Sequence, residues 1–101
     1  MAQTARVKLV TVIAVFEIEE RLMKDLTALG VKGLTLCNVN GRGLHGPQMS
    51  GLTDAPNLHV EMLVSSELAT RILDRIVSRY AGQPVMAYVH DVDAVPSEHF
   101  A

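Results

Sequence analysis

The sequence predicts an α+β fold of the ferredoxin-like kind, βαββαβ, with a four-stranded antiparallel sheet carrying two helices on one face. Three observations lead there. β-branched runs and alternating apolar stretches are separated by two segments of helical periodicity, in the order strand, helix, strand, loop, strand, helix, strand. Each half therefore reads as a βαβ unit, and right-handed crossovers put both helices on the same side of the sheet. With 101 residues, 49% of them apolar, the chain holds one core, so residues 1–101 form a single domain.

Val7 to Phe16 is rich in valine and isoleucine, which suit a pleated surface, and it reads as the first strand. From Glu17 to Leu29 the apolar positions Ile18, Leu22, Met23, Leu26 and Leu29 recur at helical spacing. Glu17, Glu19 and Glu20 favour the positive end of that helix, and Gly30 is its C-terminal stop. Lys32 to Asn40 reads as the second strand. Gly41 to Pro56 then carries four glycines, two prolines and almost no periodicity, so it is a loop. Leu58 to Val64 alternates and gives the third strand. Ser65 and Ser66 are cap candidates for a helix from Glu67 to Tyr80, whose Leu68, Ile72, Leu73, Ile76, Val77 and Tyr80 form one stripe ended by Gly82. Val85 to Val92 is the fourth strand, and "AVPSEHFA" is a tail. The first and fourth strands carry apolar residues in both alternating phases, so the sheet face away from the helices needs cover. Assembly into a small ring supplies it, with the tail as the alternative cover.

Composition removes several function classes. A net charge of −2 without a basic patch excludes nucleic-acid binding. The longest nearly uncharged apolar run, Leu9 to Phe16, is far below the roughly 20 residues that span a bilayer, and the N-terminus lacks a signal-peptide layout, so the expected location is the cytoplasm. The single cysteine, Cys37, permits no internal disulfide and no CxxC metal knuckle. No Ser-His-Asp or paired-carboxylate arrangement is readable, so the chain is not read as an enzyme and no catalytic residue is assigned.

The loop is the most informative feature. At about 16 residues it far exceeds the usual hairpin connection of about 2–5 residues, and long loops in small domains tend to carry function. Gly41, Gly43 and Gly46 have the spacing G-x-G-x-x-G, but Pro47 and Gly51 follow where a dinucleotide fingerprint needs a helix to open. What survives is a backbone nest: Gly41 and Gly43 flanking Arg42 turn N–H groups toward an anion that the guanidinium also binds. The alternative is that the glycines only permit turns and Arg42 is solvated.

The run "VKGLTLCNVNGRGLHG" resembles the second strand and following loop of PII signal-transduction proteins, with Gly33, Thr35, Gly41 and Gly43 in register. "LHVEMLVS", with Glu61, is similar to the third strand of that family, and "HDVDAV" to the end of its fourth. The GRG-type loop, the short connection before the last strand and the tail "PSEHF" most resemble the carboxysome-associated and bicarbonate-transporter-associated PII-like branch. The resemblance implies a homotrimer that binds adenine nucleotide between subunits and signals to a membrane transporter or carboxysome-associated partner through a mobile loop at about 41–56. By position it implies that Val12 and Leu63 line the adenine pocket, that Thr35 sits beside base or ribose, and that Gly41, Arg42 and Gly43 face the phosphates. Leu44 and His45 would begin the mobile loop, with His45 the loop histidine placed to touch a ligand. Bicarbonate or another small molecule would join or replace 2-oxoglutarate.

Departures from the family pattern sharpen the ligand. "RYAGQPV" has no phosphate-holding lysine, the arginines after the last strand are replaced by the neighbourhood of Ser97 and His99, and the loop lacks the modifiable tyrosine. With so few cations, the expected ligand is AMP or ADP rather than a triphosphate; Arg71, Arg75 and Arg79 on the second helix are further candidates to meet the phosphates, with a solvated helix face as the alternative for each. No prosthetic cofactor is expected. His45, His59, His90, His99, Cys37, Asp91 and Asp93 supply metal-ligand types without the local spacing of a zinc site. A trimeric metal-responsive protein of related fold is the alternative function.

Overall fold

The computed structural model describes residues 2–40 and 56–100. It contains β1 (Ala5–Val15), a 3₁₀ turn (Phe16–Ile18), α1 (Glu19–Leu29), β2 (Thr35–Asn40), β3 (Pro56–Val64), α2 (Ser66–Arg79), β4 (Val85–Ala94) and a second 3₁₀ turn (Ser97–Phe100). The strands form one antiparallel sheet in the order β2-β3-β1-β4, which is the predicted ferredoxin-like topology.

One face of the sheet is the core. Val10, Val12 and Ala14 of β1, with Leu58, Val60, Met62 and Val64 of β3, pack beneath Leu22 and Leu26 of α1 and Ala69 and Ile72 of α2. Val85, Ala87 and Val89 of β4 flank them. The opposite phase of the same strands carries Leu9, Thr11, Ile13, His59, Glu61, Leu63, Met86, Tyr88 and His90, and neither α1 nor α2 lies on it. Leu63, Met86 and Tyr88 are 40%, 42% and 40% exposed. Thr11, in the middle of this open face, is only 1% exposed because the longer side chains of Glu61 and Tyr88 flank it in its row.

Boundaries move where local chemistry differs from periodicity. α1 begins at Glu19 instead of Glu17 because its N-cap, Ile18, makes no side-chain cap hydrogen bond, and the Phe16–Ile18 stretch tightens into a 3₁₀ turn. α2 has the better start: the Ser65 hydroxyl accepts a 3.1 Å hydrogen bond from the Leu68 N–H. β4 runs on to Ala94 because its ladder with β1 continues to Ala5, where Arg6 Nε donates to Asp93 Oδ1 at 2.7 Å and Lys8 pairs with Asp91. Lys8 holds the Asp91 carboxyl below the usual carboxylate range, through its hydrogen bond first and its charge second. β2 begins at Thr35, not Lys32: Thr35 pairs with Glu61, and the chain before it leaves the sheet.

The two helices are clamped by a polar cluster. Asp25 of α1, 7% exposed, accepts hydrogen bonds from the Tyr80 hydroxyl at 2.6 Å and Arg79 Nε at 3.1 Å, with Arg75 at 3.6 Å. Arg21 stacks 4.7 Å from the Tyr80 ring centroid and donates to the Arg79 carbonyl. Burial, then the bond to Asp25, pushes the Tyr80 phenol up to about 12. Arg71 donates to the Leu29 carbonyl at 3.2 Å, beside Gly30, whose φ of 103° closes the helix in a left-handed conformation. The three α2 arginines considered as phosphate ligands are thus engaged in holding α1 against α2.

Candidate functional site

A cleft forms where β2 peels away from the end of β3. The first β2–β3 pair is Thr35 with Glu61, so Met62, Leu63 and Val64 have a strand partner only on the β1 side, where Leu9 pairs directly with Leu63. The chain from Gly30 to Leu34 swings outward and encloses a cleft of about 720 Å³, within the usual range for small-molecule sites. Its walls are apolar: Leu9 and Leu63 from the open face, Leu34 from the connection, Leu68 from α2, with Met62 and Val64 deeper.

Four polar residues are part of the lining: Thr35, Glu61, Lys32 on the α1–β2 connection and His99 from the C-terminal turn. His59 Nε2 lies 3.4 Å from Glu61 Oε2, two residues along the same face of β3, and this contact is an ion pair only when the imidazole is protonated. An apolar ring can lie against Leu9 and Leu63 while a hydroxyl or amine meets Thr35 and Glu61. The lining thus offers apolar surface beside a few polar side chains.

Of the sequence-predicted site residues, Thr35 and Leu63 meet in the cleft. Val12 does not join them. It is 0% exposed, packs in the core beneath the helices opposite Val60 and Ala87, and is not among the residues that line the cleft. The β1 residue beside Leu63 is Leu9. Gly41, Arg42, Gly43, Leu44 and His45, and the rest of the predicted loop up to Ala55, lie outside the described residues. Sequence reasoning missed Leu9, which strand alternation counted from Leu63 would have found, and Lys32, which reads as part of a strand. Among the described residues no three His, Cys, Asp or Glu side chains come together as a metal site, and Asp91 and Asp93 are occupied by Lys8 and Arg6.

The fold is that of a small α+β protein with an open cleft at the edge of its sheet. The model of the family "Nitrogen regulatory protein P-II" matches residues 7–99, and the chain belongs to that family. A PII-like signaling protein from Thermus thermophilus has a similar structure, with 33% identity, a TM-score of 0.77 and 100% of both chains covered. CPII, a nitrogen regulatory PII-like protein from Thiomonas intermedia bound to ADP, AMP and bicarbonate, has a TM-score of 0.77 at 22% identity, covering 91% of this chain and 96% of that one. CPII bound to ADP and bicarbonate gives 0.77 at 23% identity, with 93% of each chain covered. At that identity the CPII structures bear on the fold. None of the curated proteins matches the chain.

Proposed function

We propose that this chain is a PII-like regulatory protein that binds an adenine nucleotide of the AMP or ADP class, with bicarbonate as a companion ligand. The observation that carries the reading is the cleft itself: an apolar wall made by the paired Leu9 and Leu63, with Thr35 and Glu61 beside it, at the point where β2 leaves the sheet. Membership of the P-II family makes a regulatory nucleotide the expected occupant, and CPII, which shares the fold, has been captured with ADP, AMP and bicarbonate. Lys32 is the one lysine or arginine among the described lining residues, which suits a mono- or diphosphate better than a triphosphate.

The protein works as a homotrimer on this reading. The exposed apolar face holding Leu63, Met86 and Tyr88 is buried between subunits, and each cleft is completed by a neighbour. Binding is transmitted by ordering the segment 41–56, with Gly41, Arg42 and Gly43 meeting the phosphates, so that a transporter or carboxysome-related partner meets a changed surface. The role is cytoplasmic and non-catalytic; no described helix is long and apolar enough to cross a membrane.

Calorimetric titration with AMP, ADP, ATP and cyclic AMP, each with and without bicarbonate, tests the proposal. Saturable binding of AMP or ADP is expected; no heat from any nucleotide at millimolar concentration would end it.

A further inference from the structure

The sheet face away from the helices carries two histidines in unlike surroundings. His59 of β3 has a carboxylate beside it, with Nε2 3.4 Å from Glu61 Oε2, so a proton taken up there is compensated on the spot. His90 of β4 has no such neighbour. It stands directly opposite Leu9 of β1, with Val7 and Thr11 on the diagonals, and along β4 the residues on its face are Tyr88 and Val92. The Tyr88 and His90 rings meet edge to face, their centroids 5.7 Å apart.

The charged groups around His90 are turned away from it or engaged elsewhere. Asp91 and Asp93 alternate onto the other face of β4, where they pair with Lys8 and Arg6. Glu61 stands on β3 in the row of Thr11, with β1 between it and β4. The C-terminal turn lies against β1 and brings Glu98 and His99, and among the described residues no ion pair joins Glu98 to His90. In the single subunit His90 is exposed, and water solvates either form of the ring. Under a neighbouring subunit the neutral imidazole packs against Leu9 and Tyr88, whereas an imidazolium loses its hydration and gains no carboxylate. Histidine as a class changes its charge between about pH 5 and 8. Proton uptake and assembly through this face therefore oppose each other.

We infer that His90 makes assembly acid-sensitive: subunits associate through this face while the imidazole is neutral and separate when it takes up a proton. The inference rests on the homotrimer reading above. Because Leu9, opposite His90, is also a wall of the cleft, the sensor adjoins the ligand site. Light scattering on the full-length protein over a concentration series, at about pH 8 and about pH 5.5, tests it. Wild type should associate about tenfold more weakly per subunit at the lower pH, the factor for one proton that the free subunit binds and the assembled one excludes. His90→Phe, which keeps a ring and removes the proton, should associate equally at both, and His90→Gln repeats the test with a smaller neutral side chain. His59→Gln should keep the acid response. Circular dichroism at both pH values checks that the subunits stay folded; dissociation that accompanies unfolding would overturn the inference. So would equal association of wild type at both pH values, or an acid response undiminished in both His90 variants, while the homotrimer reading stands. If wild type does not associate even at about pH 8, both are wrong.

Discussion

At the scale of single residues, the Asp25–Tyr80 pair has the clearest energetic signature. Burial of the phenol first, then the bond to the Asp25 carboxylate that ionisation would break and the like charge it would face, hold its proton up to about 12. The folded value lies above the unfolded one of about 10. The stabilisation is thus fully present below pH ~10 and is lost as pH rises toward ~12, by roughly 2–3 kcal/mol at about 1.36 kcal/mol per pKa unit. Tyr80→Phe should lower unfolding free energy at pH 7 by about 1.5–3 kcal/mol. The gap between variant and wild type should then close as pH is raised, as measured by urea titrations at a series of pH values. A gap independent of pH would show that the buried, Asp25-bonded hydroxyl is not what Tyr80 contributes. Other residues carry a lesson about reading phase. Val12 and Leu9 are both apolar and both on β1, and only the alternation assigns one to the core and the other to the cleft. Because β1 is apolar in both phases, composition could not decide between them; the register with Leu63 does.

At the scale of elements, what decides each boundary is whether a backbone group finds a partner. The order of strands and helices was legible because their periods differ: Leu22 and Leu26 of the first stripe and Ile72 and Tyr80 of the second are in the core, with Leu68 and Ile76 packed against it, whereas Val77, placed on the stripe by spacing, is 73% exposed and Ala69 is buried in addition. The start of α1 was not legible, since a helix without a capping side chain begins where geometry permits rather than where acidic residues suggest. Nor was the start of β2, since Lys32 to Leu34 look strand-like in isolation and leave the sheet only because the pairing with β3 stops at Thr35 and Glu61. That departure creates the cleft, so the site was half legible: Thr35 and Leu63 could be named from the resemblance, while the connection that walls them in could not. α2 offers a direct test of capping. Ser65→Ala removes the acceptor for the Leu68 N–H and should cost about 1 kcal/mol, within the range of ~0.5–2 for such caps, by chemical denaturation. A neutral substitution would mean that water or a neighbour replaces the cap.

At the scale of the whole molecule, the described residues of a single subunit leave one sheet face open, which assembly would cover. Two helices cover one face of the sheet, and the other presents Leu63, Met86 and Tyr88 around a nearly sealed Thr11. Exposed apolar surface on this scale marks an interface. Light scattering should report a trimer, and Tyr88→Asp, which places a charge on the open face while leaving the helix-side core intact, should yield a folded monomer with unchanged circular dichroism. A wild-type monomer would leave the face unexplained and would deprive each cleft of its second subunit. Assembly and ligand binding are linked on this account, because the cleft opens on the same face that the neighbours cover. The central claim is that this cleft holds an adenine nucleotide, and calorimetric titration of the full-length protein with ADP and AMP, with and without bicarbonate, tests it most directly. The account predicts saturable binding at one nucleotide per subunit; absence of binding by either nucleotide at millimolar concentration, under both conditions, would contradict it.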